Sequence, residues 1–228
     1  MKDIERIRNI AQENLGIAIA EMELAKSIKA MAKKAKEKVS ARLNYMKKES
    51  GLAKMGKNMA QKARALAEKR VKILLLLQDK GILSITDEEL KREREFAHYH
   101  EQVAKVRNEL AQINEKIAES ENEIAENKIE FSNAKMDVAK SREKLAKIQF
   151  NYVKAVVENT VEEKILEIEH DEINRKKNLF HEQKELMNKE NHLRVKENKL
   201  NDLRKKLSVK LDEFQRIQYP IDMAESED

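Results

Sequence analysis

Two Glu-x-x-His pairs are the part of this sequence that comes closest to a chemical site. They are Glu95 with His98 and Glu167 with His170. Residues three apart share a helix face, and such pairs hold iron in carboxylate helix bundles. That site also needs two further inward-facing glutamates. Glu is so frequent in this chain, with 33 among 228 residues, that a Glu three positions before a His is expected by chance. We therefore expect no metal and no other cofactor.

Signatures of other catalytic chemistry are missing from the sequence. There is no Gly-rich phosphate loop, no nucleophile elbow and no zinc-ligand spacing. The chain has no Cys, which rules out disulfides and thiolate metal ligands. We therefore expect a non-enzymatic protein with no small-molecule substrate.

A heptad ladder through the middle of the chain predicts its fold. Alternating three- and four-residue steps average 3.5 residues, the spacing at which one seam of a helix packs on another helix. The seam residues are Val103, Val106, Leu110, Ile113, Ile117, Ser120, Ile124, Asn127, Phe131, Ala134, Val138, Ser141, Leu145, Ile148, Tyr152 and Ala155. With 39% charged residues, one Pro and four Gly, the composition is also typical of long helices. The sequence predicts an all-α, elongated coiled coil.

Local signals divide the chain into three helical segments. Helix 1 is expected at about 3–79 and helix 2 at about 87–158, with a turn at 80–86. Gly81 suits the left-handed end of a helix, and Thr86 with Glu89 forms a capping box. A loop this short favours an antiparallel hairpin. The heptad register fails after Ala155, so the chain either breaks near 158–160 or continues as one helix with a changed register.

The third helical segment, at about 160–217, contains a row of large apolar residues seven apart. The row is Leu179, Leu186, Leu193, Leu200, Leu207 and Phe214. Its companion row holds charged residues, which predicts a partner-dependent coiled coil. Pro220 is expected to end this segment. Residues 1–220 are predicted to form one domain, and 221–228 a disordered acidic tail.

Charge is distributed unevenly along the chain. Residues 26–72 hold 16 Lys and Arg against three acids, whereas residues 113–130 hold two bases against six acids. Eight lysines of the basic stretch are predicted to contact an anionic surface: Lys33, Lys34, Lys36, Lys38, Lys47, Lys48, Lys54 and Lys57. The alternative is a solvated face that is partly neutralised by the acidic stretch of the antiparallel helix.

The partner of the basic stretch could be an anionic membrane, a nucleic acid or a neighbouring copy of the chain. Bases near anionic lipid gain about 1 kcal/mol each. Binding to single-stranded nucleic acid usually uses stacking aromatics, and Tyr45 is the only aromatic residue between 26 and 72. Binding to duplex phosphates needs only positive charge, so a duplex stays open as a partner, while the membrane is favoured over nucleic acid.

The N-terminal sequence and the apolar runs predict where the protein acts. The segment MKDIERIRNIAQEN mixes acids and bases and lacks the apolar core of a signal peptide. The longest apolar run, residues 73–77, is far shorter than the ~20 residues of a membrane span. We expect a cytoplasmic protein that is peripheral on a membrane.

The basic arm, the turn at 80–86 and the break near 159 give an architecture that resembles membrane-remodelling proteins. BAR domains are dimers of three long helices with a basic lipid-facing surface. The phage-shock-protein A and ESCRT-III-like proteins share a helical hairpin and polymerise on membranes. The resemblance is one of architecture and carries over no functional residue. It implies a self-assembling scaffold at an anionic membrane; the alternatives are a cytoplasmic coiled-coil assembly or filament without lipid contact, and a nucleic-acid-binding coiled coil.

Overall fold

Three long helices make up the described chain. The computed structural model describes residues 2–158 and 162–222, with side chains for 5–158 and 162–217. The helices are α1 (Lys2–Asp79), α2 (Asp87–Val157) and α3 (Glu162–Asp222), and these residues include no strand. The predicted all-α class is confirmed, whereas coiled-coil packing between the helices stays a prediction.

The turn between α1 and α2 has the geometry that its sequence predicts. Gly81 has a φ of 71°, and its N–H donates to the carbonyl of Gln78 at 2.9 Å, while Ile82 donates to Leu77 at 3.0 Å. This pair of bonds is the Schellman arrangement that ends a helix. The capping box also forms, because the N–H of Thr86 donates to Oε2 of Glu89 at 3.0 Å and the N–H of Glu89 donates back to Oγ1 of Thr86 at 3.3 Å.

The structure distinguishes the two alternatives for the chain after Ala155, which were a break near 158–160 and one continuous helix. α2 ends at Val157 and α3 begins at Glu162, so these are two helices. Residues 159–161 lie outside the described part of the chain. The prediction that Pro220 ends the third helix is wrong, since α3 runs to Asp222. A proline removes its own N–H, but the residues after it can still donate to carbonyls one turn earlier. The predicted tail falls, from residue 223 onward, outside the described residues.

Internal contacts divide the chain into two units that each draw on all three helices. One unit consists of Met1–Val39 and Asn122–Asn198, and the other of Ser40–Glu121 and Lys199–Asp228. In the first unit, α2 is antiparallel to both neighbours. The interhelical pairs that show this are Glu21–Arg142 at 3.0 Å, Lys36–Glu126 at 3.1 Å, Tyr152–Glu169 at 2.9 Å and Lys189–Glu130 at 3.4 Å. The single predicted domain stays a prediction.

The second unit has the same antiparallel order, and one carboxylate joins its three helices. Arg64 binds Glu101 at 2.5 Å and Arg70 binds Glu93 at 3.2 Å, so partner numbers on α2 fall as those on α1 rise. Glu121 on α2 binds Arg42 of α1 at 2.8 Å and Arg204 of α3 at 3.1 Å. Its side chain is only 12% exposed.

The core lies mainly along α2, which contacts both other helices. The predicted seam from Val103 to Ala155 is buried or half-buried at every position. A second heptad row, one position after the first, is also buried or half-buried: Ala104, Ala111, Ala118, Ala125, Ser132, Ala139, Ala146 and Val153. Small residues let a second helix approach closely. A helix with one neighbour needs to bury one row, whereas α2 contacts both α1 and α3 and buries two. The sequence interpretation missed this row, although its seven-residue spacing was the available signal.

Candidate anionic-surface site on the first helix

All eight lysines predicted to contact an anionic surface lie on α1. Six of them are exposed, while Lys36 and Lys57 are half-buried. Lys36 forms an ion pair with Glu126 at 3.1 Å, and Lys47 reaches Glu119 at 3.9 Å. These two lysines are therefore partly neutralised by α2.

Five exposed lysines of the set have no acid within ion-pair distance among the residues that the structure describes. They are Lys33, Lys34, Lys38, Lys48 and Lys54. An ammonium group on an exposed helix face, without an intramolecular partner, keeps its full charge available to an external anion. The structure thus separates Lys36 and Lys47, which pair with α2, from these five lysines, which meet no acid within the described residues.

The acidic stretch of α2, residues 113–130, is mostly paired within the molecule, unlike the five exposed lysines. Five of its six acids form interhelical ion pairs within one unit or the other: Glu119 with Lys47, Glu121 with Arg42 and Arg204, Glu123 with Lys196, Glu126 with Lys36, and Glu130 with Lys189. Internal pairing therefore uses up most of the acidic stretch but leaves much of the basic one.

The predicted leucine row of α3 faces inward. Leu200 is buried, and Leu179, Leu186, Leu193, Leu207 and Phe214 are half-buried. The charged companion row, which consists of Glu182, Lys189 and Lys196, is half-buried. Lys189 and Lys196 pair with Glu130 of α2 at 3.4 Å and with Glu123 at 3.1 Å. Lysine stems can cover apolar surface while the ammonium group pairs, so a charged companion row is compatible with packing here.

Two interhelical pairs of the second unit perturb the ionisation of their members. The hydrogen bond from Arg64 lowers the pKa of the Glu101 carboxyl below its ordinary value. Hydrogen bonds to Glu109 and Glu213 raise the pKa of Lys210. Both shifts favour the charged forms and therefore the closed ion pairs.

An unpredicted row of exposed apolar residues also runs along α1. Its members are seven apart: Ile10, Ile17, Leu24, Met31, Tyr45, Leu52, Met59, Leu66 and Ile73, with Lys38 filling the gap. Their side chains are 48–70% exposed. A similar row on α3, consisting of Leu166, Ile173, Phe180 and Met187, is 52–70% exposed. The sequence interpretation missed both rows because it followed only the seams expected to be buried.

The two Glu-x-x-His pairs do not gather into a metal-binding cluster. Among the described residues, no group of three or more His, Cys, Asp or Glu could hold a metal ion. His98 lies 3.5 Å from Gln102, and His170 lies 3.3 Å from Asn174. Each histidine thus contacts a polar side chain one turn further along its own helix.

A polar groove of about 530 Å³ lies between α2 and α3 in the first unit. Its walls hold four acids and four bases: Glu130, Asp137, Lys140, Lys144, Arg175, Glu182, Glu185 and Lys189. The numbers of acids and bases are equal, so the groove presents no net charge to a ligand. It lacks the uncompensated charge that distinguishes the face of α1.

Comparison with known proteins gives no relative for this chain. No family model matches it, and neither does a curated protein or a solved structure. Within the described residues, no helix has a stretch long and apolar enough to span a bilayer. A function for this chain is therefore argued from its own residues and contacts.

Proposed function

We propose that this chain is a non-enzymatic, self-assembling helical scaffold that acts at the cytoplasmic face of an anionic membrane. One observation carries the proposal: Lys33, Lys34, Lys38, Lys48 and Lys54 are exposed on one helix, with no acid within ion-pair distance among the described residues. In this proposal, the ammonium groups of Lys33, Lys34 and Lys38 in the first unit, and those of Lys48 and Lys54 in the second, contact lipid headgroups while the α2 seam holds the helices together.

The expected lipid affinity of one copy is modest. At about 1 kcal/mol for each lysine near anionic lipid, five lysines supply about 5 kcal/mol, and salt screens this attraction over roughly 8–10 Å. A free energy of this size corresponds to a dissociation constant of about 0.2 mM. Joining several copies multiplies the contacts without any new chemistry, so assembly and membrane binding support each other.

A filament without lipid contact is the second candidate. The exposed heptad rows on α1 and α3 favour a filament, because long exposed apolar rows are typical of surfaces that bind another protein. Both candidates share self-assembly and differ in whether lipid takes part.

Co-sedimentation with liposomes separates the candidates. The chain is centrifuged with phosphatidylserine-containing vesicles, with neutral phosphatidylcholine vesicles and without lipid, at low and physiological salt. We expect pelleting with the anionic vesicles that weakens as salt rises. Pelleting that is the same without lipid would favour the filament and refute the membrane role. No pelleting in any condition would refute both, and a salt-sensitive shift with duplex DNA would then favour nucleic-acid binding.

A charge-matched pair of variants tests the residues. The test variant combines Lys33→Gln, Lys34→Gln, Lys48→Gln and Lys54→Gln. The control removes four exposed lysines of α3 that also lack an acid partner among the described residues: Lys177→Gln, Lys184→Gln, Lys199→Gln and Lys206→Gln. The test variant should lose about a hundredfold or more in affinity for anionic vesicles, since four contacts of about 1 kcal/mol are removed. Equal losses in both variants would show that net charge, and not this face, determines binding.

A further inference from the structure

The last third of α1 and the start of α3 each present part of an exposed apolar row. On α1, Met59 is 70% exposed, Leu66 65% and Ile73 57%. On α3, Leu166 is 59% exposed and Ile173 52%. Each row belongs to a helix that already packs on α2 through another face. The row is therefore a second, exposed apolar face of that helix.

The spacing of the rows indicates what covers them. A helix can lie on a flat bilayer with any apolar stripe that repeats near 3.6 residues per turn. A strict seven-residue repeat drifts by about 20° per heptad on a straight helix and stays in line only along a supercoiled pair. Both rows keep the seven-residue repeat, so each fits another helix better than a planar surface.

The charges beside the rows are complementary. Lys62 and Lys69 lie one turn from Leu66, are exposed, and have no ion-pair partner among the described residues. Residues 162–172 at the start of α3 hold six acids and one base. Of these acids, Glu162, Glu163 and Glu167 are exposed near Leu166 and likewise meet no base within the described chain. An acid-flanked apolar row therefore exists on the same polypeptide as a base-flanked one.

We infer that the Met59–Ile73 row of one copy packs against the Leu166–Ile173 row of a second copy, with Lys62 and Lys69 facing the acids at the start of α3. The contact rests on the self-assembly in the proposed function and names its interface. It joins two different surfaces, so a copy added through one of its rows still presents the other row to a further copy. A heterologous contact of this type generates rings or open polymers.

Cross-linking between copies tests the contact directly, because the chain contains no cysteine of its own. Leu66→Cys is mixed with an affinity-tagged Leu166→Cys and treated with a bismaleimide of roughly 10 Å span, about one heptad of helix. The control replaces Leu166→Cys by Val209→Cys, a site on α3 with 68% exposure. We expect a tagged heterodimer with Leu166→Cys and at least tenfold less with Val209→Cys. Equal yields, or no heterodimer, would overturn the inference.

Charge reversal tests the electrostatic part. Lys62→Glu with Lys69→Glu should raise the concentration of half-association in sedimentation velocity at least about tenfold, because like charges then face each other. Glu162→Lys with Glu163→Lys should do the same. The chain carrying all four changes should regain association, and weakening without rescue would refute the pairing of these two surfaces.

The liposome assay keeps this inference separate from the membrane role. If cross-linking fails while the chain still pellets with anionic vesicles, the interface is wrong and the membrane role stands. If cross-linking succeeds while pelleting requires no lipid, the interface stands and the membrane role is wrong. If Leu66→Asp abolishes vesicle pelleting but leaves association unchanged, lipid covers the row and the inference is refuted.

Discussion

Replacing Glu121 by glutamine should destabilise the second unit more than any neighbouring charge neutralisation on α2. Glu121→Gln keeps the size of the side chain but removes the charge that Arg42 and Arg204 share at 2.8 and 3.1 Å. Because Glu121 is 12% exposed, its charge is poorly screened by water. Removing it weakens the connection of α2 to both other helices at once.

The magnitude follows from the exposure of the partners. A hydrogen bond to a charged group contributes about 1.5–3 kcal/mol when shielded, and an exposed ion pair about 0–1 kcal/mol. The arginines are 53% and 56% exposed, so each pair should contribute about 1 kcal/mol. The glutamine oxygen can still accept one bond, which leaves an expected loss of about 1–2 kcal/mol.

Urea unfolding followed by circular dichroism at 222 nm measures this loss. Glu119→Gln is the matched control on the same helix, since Glu119 is 48% exposed and its ion-pair partner Lys47 lies 3.9 Å away. We expect the control to change stability by less than about 0.5 kcal/mol. In an Arg204→Ala background the effect of Glu121→Gln should fall by roughly half. If Glu121→Gln costs no more than the control, the carboxylate does not join the three helices and the reasoning fails.

Three further outcomes follow from local contacts. Thr86→Ala should lower stability by about 1 kcal/mol in a urea titration because α2 loses its capping box, and Thr86→Ser, which keeps the hydroxyl, should not. Asn108→Leu should raise the melting temperature, since Asn108 is 4% exposed and its Oδ1 finds no hydrogen-bond partner in the described chain; a lower Tm would refute this. The pKa of Glu101 is lowered by Arg64, so its stabilising contribution is present above the ordinary glutamate value near 4.5 and should be lost as pH falls through the lowered value. In a Glu101→Gln variant, whose residue 101 does not titrate, the acid limb of stability should be shallower, and an unchanged limb would contradict the assignment.

The sequence was sufficient for the helical class, the turn and the start of α2 because these depend on interactions between near neighbours. The Gly81 and Thr86–Glu89 signals act within one helical turn, and α2 begins at Asp87 as they predict. The seam of α2 is visible in the sequence because its spacing repeats every seven residues whatever the partner is. The end of α3 escaped prediction because Pro220 removes one donor without removing the carbonyls that later residues use.

Tertiary structure alone decided which charges and which apolar rows remain available. The sequence shows a basic stretch and an acidic stretch, but only the antiparallel pairing of α2 with both neighbours joins Lys36 to Glu126 and leaves Lys33 and Lys34 without an acid partner among the residues that the structure describes. The same pairing buries the alanine row of α2 and leaves Leu66 exposed on α1. A heptad pattern specifies that a row can pack on a helix, whereas which rows of three helices meet is set by the arrangement of all of them, which no local sequence signal contains.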